Sequence, residues 1–158
     1  VFDSWAGELS PEDFAEFALS PLRHILTSVR ARLTENHLPE VPLILFAKGA
    51  NAPVSLSASA AAGYDVLGLD WCAVPADART AAPNKVLQGN LDPNRLYGGR
   101  EAIENGVRRM CATFRVGGRP SKGWIANLGH GITPGVDPDD LRSFFKCVHK
   151  YSARETVP

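Results

Sequence analysis

The chain has 158 residues, seventeen Lys and Arg against seventeen Asp and Glu for a formal charge of zero, and is 44% apolar and 22% charged. That is the composition of one packed globular domain, residues 1–158, and it excludes two classes of partner. There is no overall basic field to draw the chain onto nucleic acid or an anionic membrane, and no uncharged apolar run approaches the ~20 residues that span a bilayer.

The chain opens on VFDS, Val1 to Ser4, without an initiator methionine and without the basic and apolar stretches of a secretory signal. Chain ends prefer the surface, so a start inside an apolar run leads us to expect part of something longer. Val1 to Asp3 is the first of five short apolar runs; the others are Leu43 to Ala47, Val66 to Leu69, Val86 to Leu87 and Trp124 to Leu128. Each is bounded by Gly, Asp, Asn or Pro, as strands buried on both faces are.

Helical patterns fill the gaps. Ser10, Pro11, Glu12 and Asp13 offer an N-cap, a proline at the first helical position and acids in the first turn. Phe14, Phe17 and Ala18, then Leu22, Ile25, Leu26 and Val29, recur at helical spacing, with a break or kink expected at Ser20 and Pro21. Leu56 to Ala62 ends at Gly63, Pro75 to Ala82 is short, and Arg100 to Phe114 carries Ile103, Val107, Met110 and Cys111 on one face. Asp137 and Pro138 start a last helix with Leu141, Phe144, Phe145 and Val148 as its apolar stripe. Asp92 and Pro93 read as one more helix start. Cys72, Cys111 and Cys147 are widely spaced with no CxxC, which predicts buried free thiols in a reducing compartment.

Alternation of strand and helix predicts an α/β fold with a parallel sheet and right-handed crossovers. An open doubly wound sheet suits ~150 residues, and a closed barrel needs about 250. In both, ligands bind beyond the carboxyl ends of the strands. Those ends read Asp3, Ser4 and Trp5; Lys48 and Gly49; Asp70 and Trp71; Gln88, Gly89 and Asn90; His130 and Gly131. A polar group follows every strand, which suits a barrel that gathers all its strand ends around one mouth.

The bland reading of most of these residues is structural. Asp3 and Asp70 are expected to pair with Lys48 or arginines as structural ion pairs. Trp5 and Trp71 are expected to pack, and the amides of Gln88 and Asn90 to hold loops in place. Ser4 at a strand end is ordinarily a cap or turn former. His130, between Gly129 and Gly131, has two readings: a loop histidine satisfying local backbone groups, or a ligand donor in a turn that keeps its neighbours small.

Taken together, FDSWAG (Phe2 to Gly7), FAKG (Phe46 to Gly49), GLDW (Gly68 to Trp71), LQGNLDP (Leu87 to Pro93) and NLGHG (Asn127 to Gly131), followed by Asp137 and Pro138, resemble the second half of the uroporphyrinogen decarboxylase family. The likeness runs from Val1 to about Tyr151. It implies a (β/α)8 TIM barrel, of which this chain would supply the last five β/α units, and a cofactor-free carboxy-lyase. That enzyme removes the carboxyl groups of the four acetate side chains of the tetrapyrrole uroporphyrinogen III, leaving coproporphyrinogen III in haem and chlorophyll synthesis. It implies a cytoplasmic or plastid enzyme that is a homodimer, or here a partner for its own amino-terminal half. It implies substrate-binding roles for Ser4 and His130 against the substrate carboxylates. The family's arginine-rich stretch, its aspartate on the pyrrole N–H groups and its tyrosine belong to the preceding half. No catalytic residue is therefore expected in this chain, and alone it is expected to be inactive. The segment GGRPSKG, Gly117 to Gly123, departs from a shorter family loop, and its Lys and Arg are expected to be solvated.

Two rivals remain. A related barrel methyltransferase would bind zinc through a His-x-Cys pair after one strand and a Cys after the last, where this chain has Phe46, Ala47 and Lys48, then His130; no metal site is expected. A flavodoxin-like binding module would need a phosphate-cradling loop after the first strand, and DSWAGELS, Asp3 to Ser10, has a tryptophan and one glycine there.

Overall fold

The short apolar runs become strands of one parallel sheet in the computed structural model, which describes residues 1–116, 119–120 and 123–152. These are β1 (Phe2–Asp3), β2 (Ile44–Ala47), β3 (Val66–Gly68), β4 (Val86–Leu91) and β7 (Trp124–Leu128), paired in the order β1-β2-β3-β4-β7. A separate antiparallel pair, β5 (Arg115–Val116) with β6 (Arg119–Pro120), precedes β7. Gly117, Gly118, Ser121 and Lys122 of the predicted loop, and the side chain of Arg119, lie outside the described residues.

Strand order decides between the two architectures. A doubly wound sheet reverses direction at a switch point, so its order is never sequential. Here every strand neighbours the next one in the sheet, which is single winding, the pattern of a β/α barrel. The flavodoxin-like alternative fails on this topology.

Register sorts side chains onto two faces. Leu45, Leu67 and Leu87 stand in one row with Trp124 and are buried with Leu22, Leu26 and Leu56 from the helices. The neighbouring row, Phe2, Phe46, Gly68, Gln88 and Ile125, points the other way. Phe114 stacks on Trp124 with ring centroids 4.8 Å apart, closing the core between α5 (Gly99–Thr113) and the sheet. Burial pushes the Cys111 thiol up from its usual range. Cys111 and half-buried Cys147 are free thiols as expected, but Cys72 is exposed.

The first helical region departs from expectation in an instructive way. Ser10 caps α1 (Pro11–Asp13) by accepting from the Asp13 N–H at 3.1 Å. A π-helical turn, Phe14–Ala18, then runs directly into α2 (Leu19–Glu35), so Pro21 lies inside a continuing helix and does not break it. Proline has no N–H and crowds the carbonyl of the preceding turn; the wider turn, in which the Leu19 N–H reaches back to the Phe14 carbonyl, relieves that crowding. It also changes which residues face inward. Leu19 falls beneath Phe14 and is buried, while Phe17 turns out to solvent at 61% exposure.

The remaining helices are α3 (Pro53–Ala61), α4 (Pro75–Ala81) and α6 (Pro138–Ser152), with a 3-10 segment at Pro93–Gly98. Asp92 caps that segment through the Asn94 N–H at 2.9 Å, and Asp137 caps α6 through the Asp139 N–H at 2.8 Å, both as predicted. No described helix is long and apolar enough to cross a membrane.

Candidate functional site

Because the strands are parallel, the loops that follow them collect at one rim, and Asp70 ties that rim together. Its buried carboxylate accepts hydrogen bonds from the Gly49 N–H at 2.6 Å, from Asn51 Nδ2 at 2.9 and 3.0 Å, and from the Cys72 N–H at 2.7 Å. The loop after β2 is thereby fixed to the loop after β3. Asn90 adds the end of β4: its Nδ2 donates to the carbonyls of Asp70 and Ala73, each at 2.8 Å.

The loop after β7 joins through its glycine. The Gly129 N–H donates to the Leu91 carbonyl at 2.7 Å, and a Cβ on Gly129 would lie 2.3 Å from the Trp71 nitrogen. Only a residue without a side chain can bring the His130 loop this close to the Trp71 backbone. Gly131 is different, since a Cβ there meets nothing within 4 Å. Farther along the same loop, the Tyr97 hydroxyl hydrogen-bonds Thr133 Oγ1 at 2.7 Å and donates to the Pro134 carbonyl at 3.0 Å.

Held this way, the His130 ring stands edge-on to Phe46 at 6.0 Å and to Trp71 at 6.1 Å, measured between centroids. Lys48 Nζ lies 5.9 Å from the centroid of the same Trp71 ring. Below them the concave face of the sheet and α6 border an open hollow of about 670 Å³, with Phe2, Phe46, Gln88, His130, Ile132 and Phe145 among the residues lining it. Its floor is apolar and its polar groups are few, the general character of a small-molecule site. Among the described residues, no three or more His, Cys, Asp or Glu side chains are grouped so as to hold a metal ion.

His130 lines the hollow. Ser4 sits at the exit of β1, exposed, and does not line it. Both lie at the same end of the sheet, just past its two edge strands. Asn90 holds loops as expected, whereas Gln88 lines the hollow. The expected ion pairs of Asp3, Asp70 and Lys48 do not form among the described residues. Asp70 is saturated by N–H donors, and Asp3 accepts from the Trp5 N–H at 3.3 Å. Sequence reasoning missed Asn51 and Tyr97. Asp70 followed two residues later by its own N–H donor is an Asx-turn signal that could have been read; Tyr97 reaches a loop 36 residues away and left no local signal.

A second, more charged crevice of about 290 Å³ lies between α5 and α6, lined by Arg100, Glu104, Lys146 and Cys147 among others. Hydrogen bonds from Lys150 and Tyr151 hold the Glu104 carboxyl below its ordinary range, and the same contacts raise Lys150. These pairs clamp the two helices together.

Comparison with known proteins matches residues 1–151 to the family described as Uroporphyrinogen decarboxylase (URO-D). The chain is 48% identical to uroporphyrinogen decarboxylase of Schizosaccharomyces pombe over 155 residues, covering 97% of this chain and 42% of the relative. It is 44% identical to that of Homo sapiens, covering 96% and 40%, and 43% identical to that of Pseudomonas putida strain W619, covering 98% and 41%. The chain thus spans about two-fifths of the length of these relatives. Among solved structures, a methyltransferase from Methanosarcina mazei superposes with a TM-score of 0.74 at 19% identity, covering 97% of this chain and 42% of the other, a likeness of fold alone. With the motifs, the single winding and these relatives in agreement, the chain belongs to the uroporphyrinogen decarboxylase family.

Proposed function

We propose that this chain is the carboxyl-terminal part of a single barrel domain that converts uroporphyrinogen III to coproporphyrinogen III by loss of CO2 from four acetate side chains. Three further β/α units would close the cylinder, and a homodimer is the proposed assembly. The observation that carries this reading is the open apolar hollow with His130 at its mouth, in a chain that matches the family over residues 1–151. Single winding leaves β1 and β7 with one neighbour each, and closing the arc would bring Ser4 and His130 toward one mouth.

Loss of CO2 from an acetate on a pyrrole leaves a carbanion unless the ring first takes a proton and becomes an electron sink. A carboxylate aimed at the ring N–H groups in a dry, preorganised site favours that cation strongly. This chain offers no buried carboxylate free for the task among the described residues: its one buried acid, Asp70, is held by the rim amides. The groups that promote protonation are therefore assigned to the missing units. His130, and Ser4 after closure, would orient substrate carboxylates by hydrogen bonding.

The test is reconstitution with the preceding units of the Schizosaccharomyces pombe relative. Neither half alone should yield coproporphyrinogen, and the mixture should. In the mixture, His130→Ala should raise KM about tenfold or more without preventing assembly. Turnover by this chain alone would overturn the division of labour, and a folded but inactive mixture would overturn the assignment.

A further inference from the structure

We propose that Lys48 is a second substrate-carboxylate donor beside this hollow, near the same Trp71 ring as His130 and recognising an acid on the periphery of the macrocycle. The proposal rests on the function proposed above and adds to it a residue that selects for the fully carboxylated substrate.

Three observations carry it. The backbone of Lys48 is fixed on both sides: its N–H donates to the Asp3 carbonyl at 2.9 Å and its carbonyl accepts from the Gly7 N–H at 2.8 Å, with Gly49 tied to Asp70 next door. Its side chain, by contrast, has no anionic partner among the described residues. The ion pairs found there engage Arg30, Arg142 and Lys150, and the rim acids Asp3 and Asp70 are occupied by N–H donors. Third, the Lys48 ammonium lies 5.9 Å from the Trp71 ring, which also has His130 as a neighbour at 6.1 Å.

An ammonium beside an indole and without an anionic partner can still take an anion, because the ring supplies only its quadrupole. Two nitrogen donors beside one aromatic ring fit a large cyclic ligand with acids around its periphery. A lysine is suited to this as a mobile point charge that can follow carboxylates at more than one position. Uroporphyrinogen presents acids all round its periphery, and the product has lost half of them. A rim cation therefore favours substrate over product, which helps release.

The experiment uses the reconstituted enzyme with Lys48→Met, which keeps the stem against Trp71 and removes the charge, and Lys48→Arg, which keeps the charge. Lys48→Met should raise KM for uroporphyrinogen about tenfold with kcat within about twofold, and Lys48→Arg should recover most of the loss. Fluorescence titration with uroporphyrin, an octacarboxylate, should weaken by a similar factor in Lys48→Met, while titration with the tetracarboxylate coproporphyrin should change less. Thermal midpoints should stay level, because no internal ion pair is lost. Wild-type turnover with unchanged KM and titration in Lys48→Met overturns the Lys48 assignment and leaves the proposed function standing. Equal weakening toward both porphyrins overturns the selectivity. A wild-type protein that neither turns over uroporphyrinogen nor binds uroporphyrin overturns both proposals.

Discussion

The two faces of this sheet are made by the same strands and end in opposite conditions. On the convex side Leu45, Leu67 and Leu87 are 1%, 2% and 0% exposed beneath the helices. On the concave side the row from Phe2 to Ile125 leaves Phe2 82% and Ile125 43% exposed around the hollow. Alternation along a strand places one apolar residue in a finished core and the next at a surface that needs an outside cover. One residue of register thus separates two conditions: the convex row holds the chain together, and the concave row lines the open hollow.

The largest effect that can break this contrast is on the convex row. Leu87→Ala removes a fully buried side chain between β4 and the helices and should cost about 2–5 kcal/mol, read as a lower urea midpoint. A loss below ~1 kcal/mol would mean that the helices do not form a packed cover.

Next in size is the rim. Gly129→Ala would push a methyl group into the Trp71 backbone, where nothing flexible can yield, at a cost of about 1–3 kcal/mol and with displacement of His130. Gly131→Ala, two positions on, meets open space and should be close to neutral. Ring resonances of His130 by NMR check the pair: they should move in the first variant and not in the second. Equal behaviour of the two would show that the approach to Trp71 does not position the histidine.

Much of this was legible from residue patterns. The strands fall where short apolar runs end in Gly, Asp or Asn, and the caps at Ser10, Asp92 and Asp137 form as read. What escaped the sequence depended on contacts between distant segments. β4 extends to Leu91, past Gln88, Gly89 and Asn90, because those residues pair by backbone with Ile125 to Asn127 and need no apolar side chains to do so. Phe17 matched a helical period of 3.6, yet the π turn ahead of Pro21 shifted the phase and buried Leu19 in its place. The glycine setting of His130 has a physical basis at Gly129, which passes against the Trp71 backbone, whereas Gly131 meets open space. Lys48 was read as an ion pair because charge pairing cannot be assigned from sequence order, and Asp70, its expected partner type, is consumed by amides.

A smaller effect concerns how the covered face is anchored. The Leu43 N–H, at 2.8 Å, and Arg30, at 3.1 Å, hold the Asp65 carboxyl below its ordinary range and tie α2 to the start of β3. A lowered folded pKa gives stability that is present above the unfolded value, near pH 4, and is lost as pH falls through the folded value. Both side chains are more than a third exposed, so the contribution is below about 1 kcal/mol. Asp65→Asn should flatten that part of the acid limb in urea midpoints taken from pH 6 to pH 2. An unchanged limb would place the acid sensitivity elsewhere.

The smallest expected change sharpens the comparison most. Phe2→Ser removes a large apolar side chain that is already mostly in water, so the chain alone should shift by no more than about 0.5 kcal/mol. If the barrel closes as proposed, the same substitution should weaken pairing with the other barrel units by about 1.5–3 kcal/mol, the value of burying such a side chain. Unfolding of the chain alone and titration of the two halves measure the two quantities separately. A large loss in the first would make Phe2 part of the existing core, and no loss in the second would mean that the concave face stays open in the assembled protein.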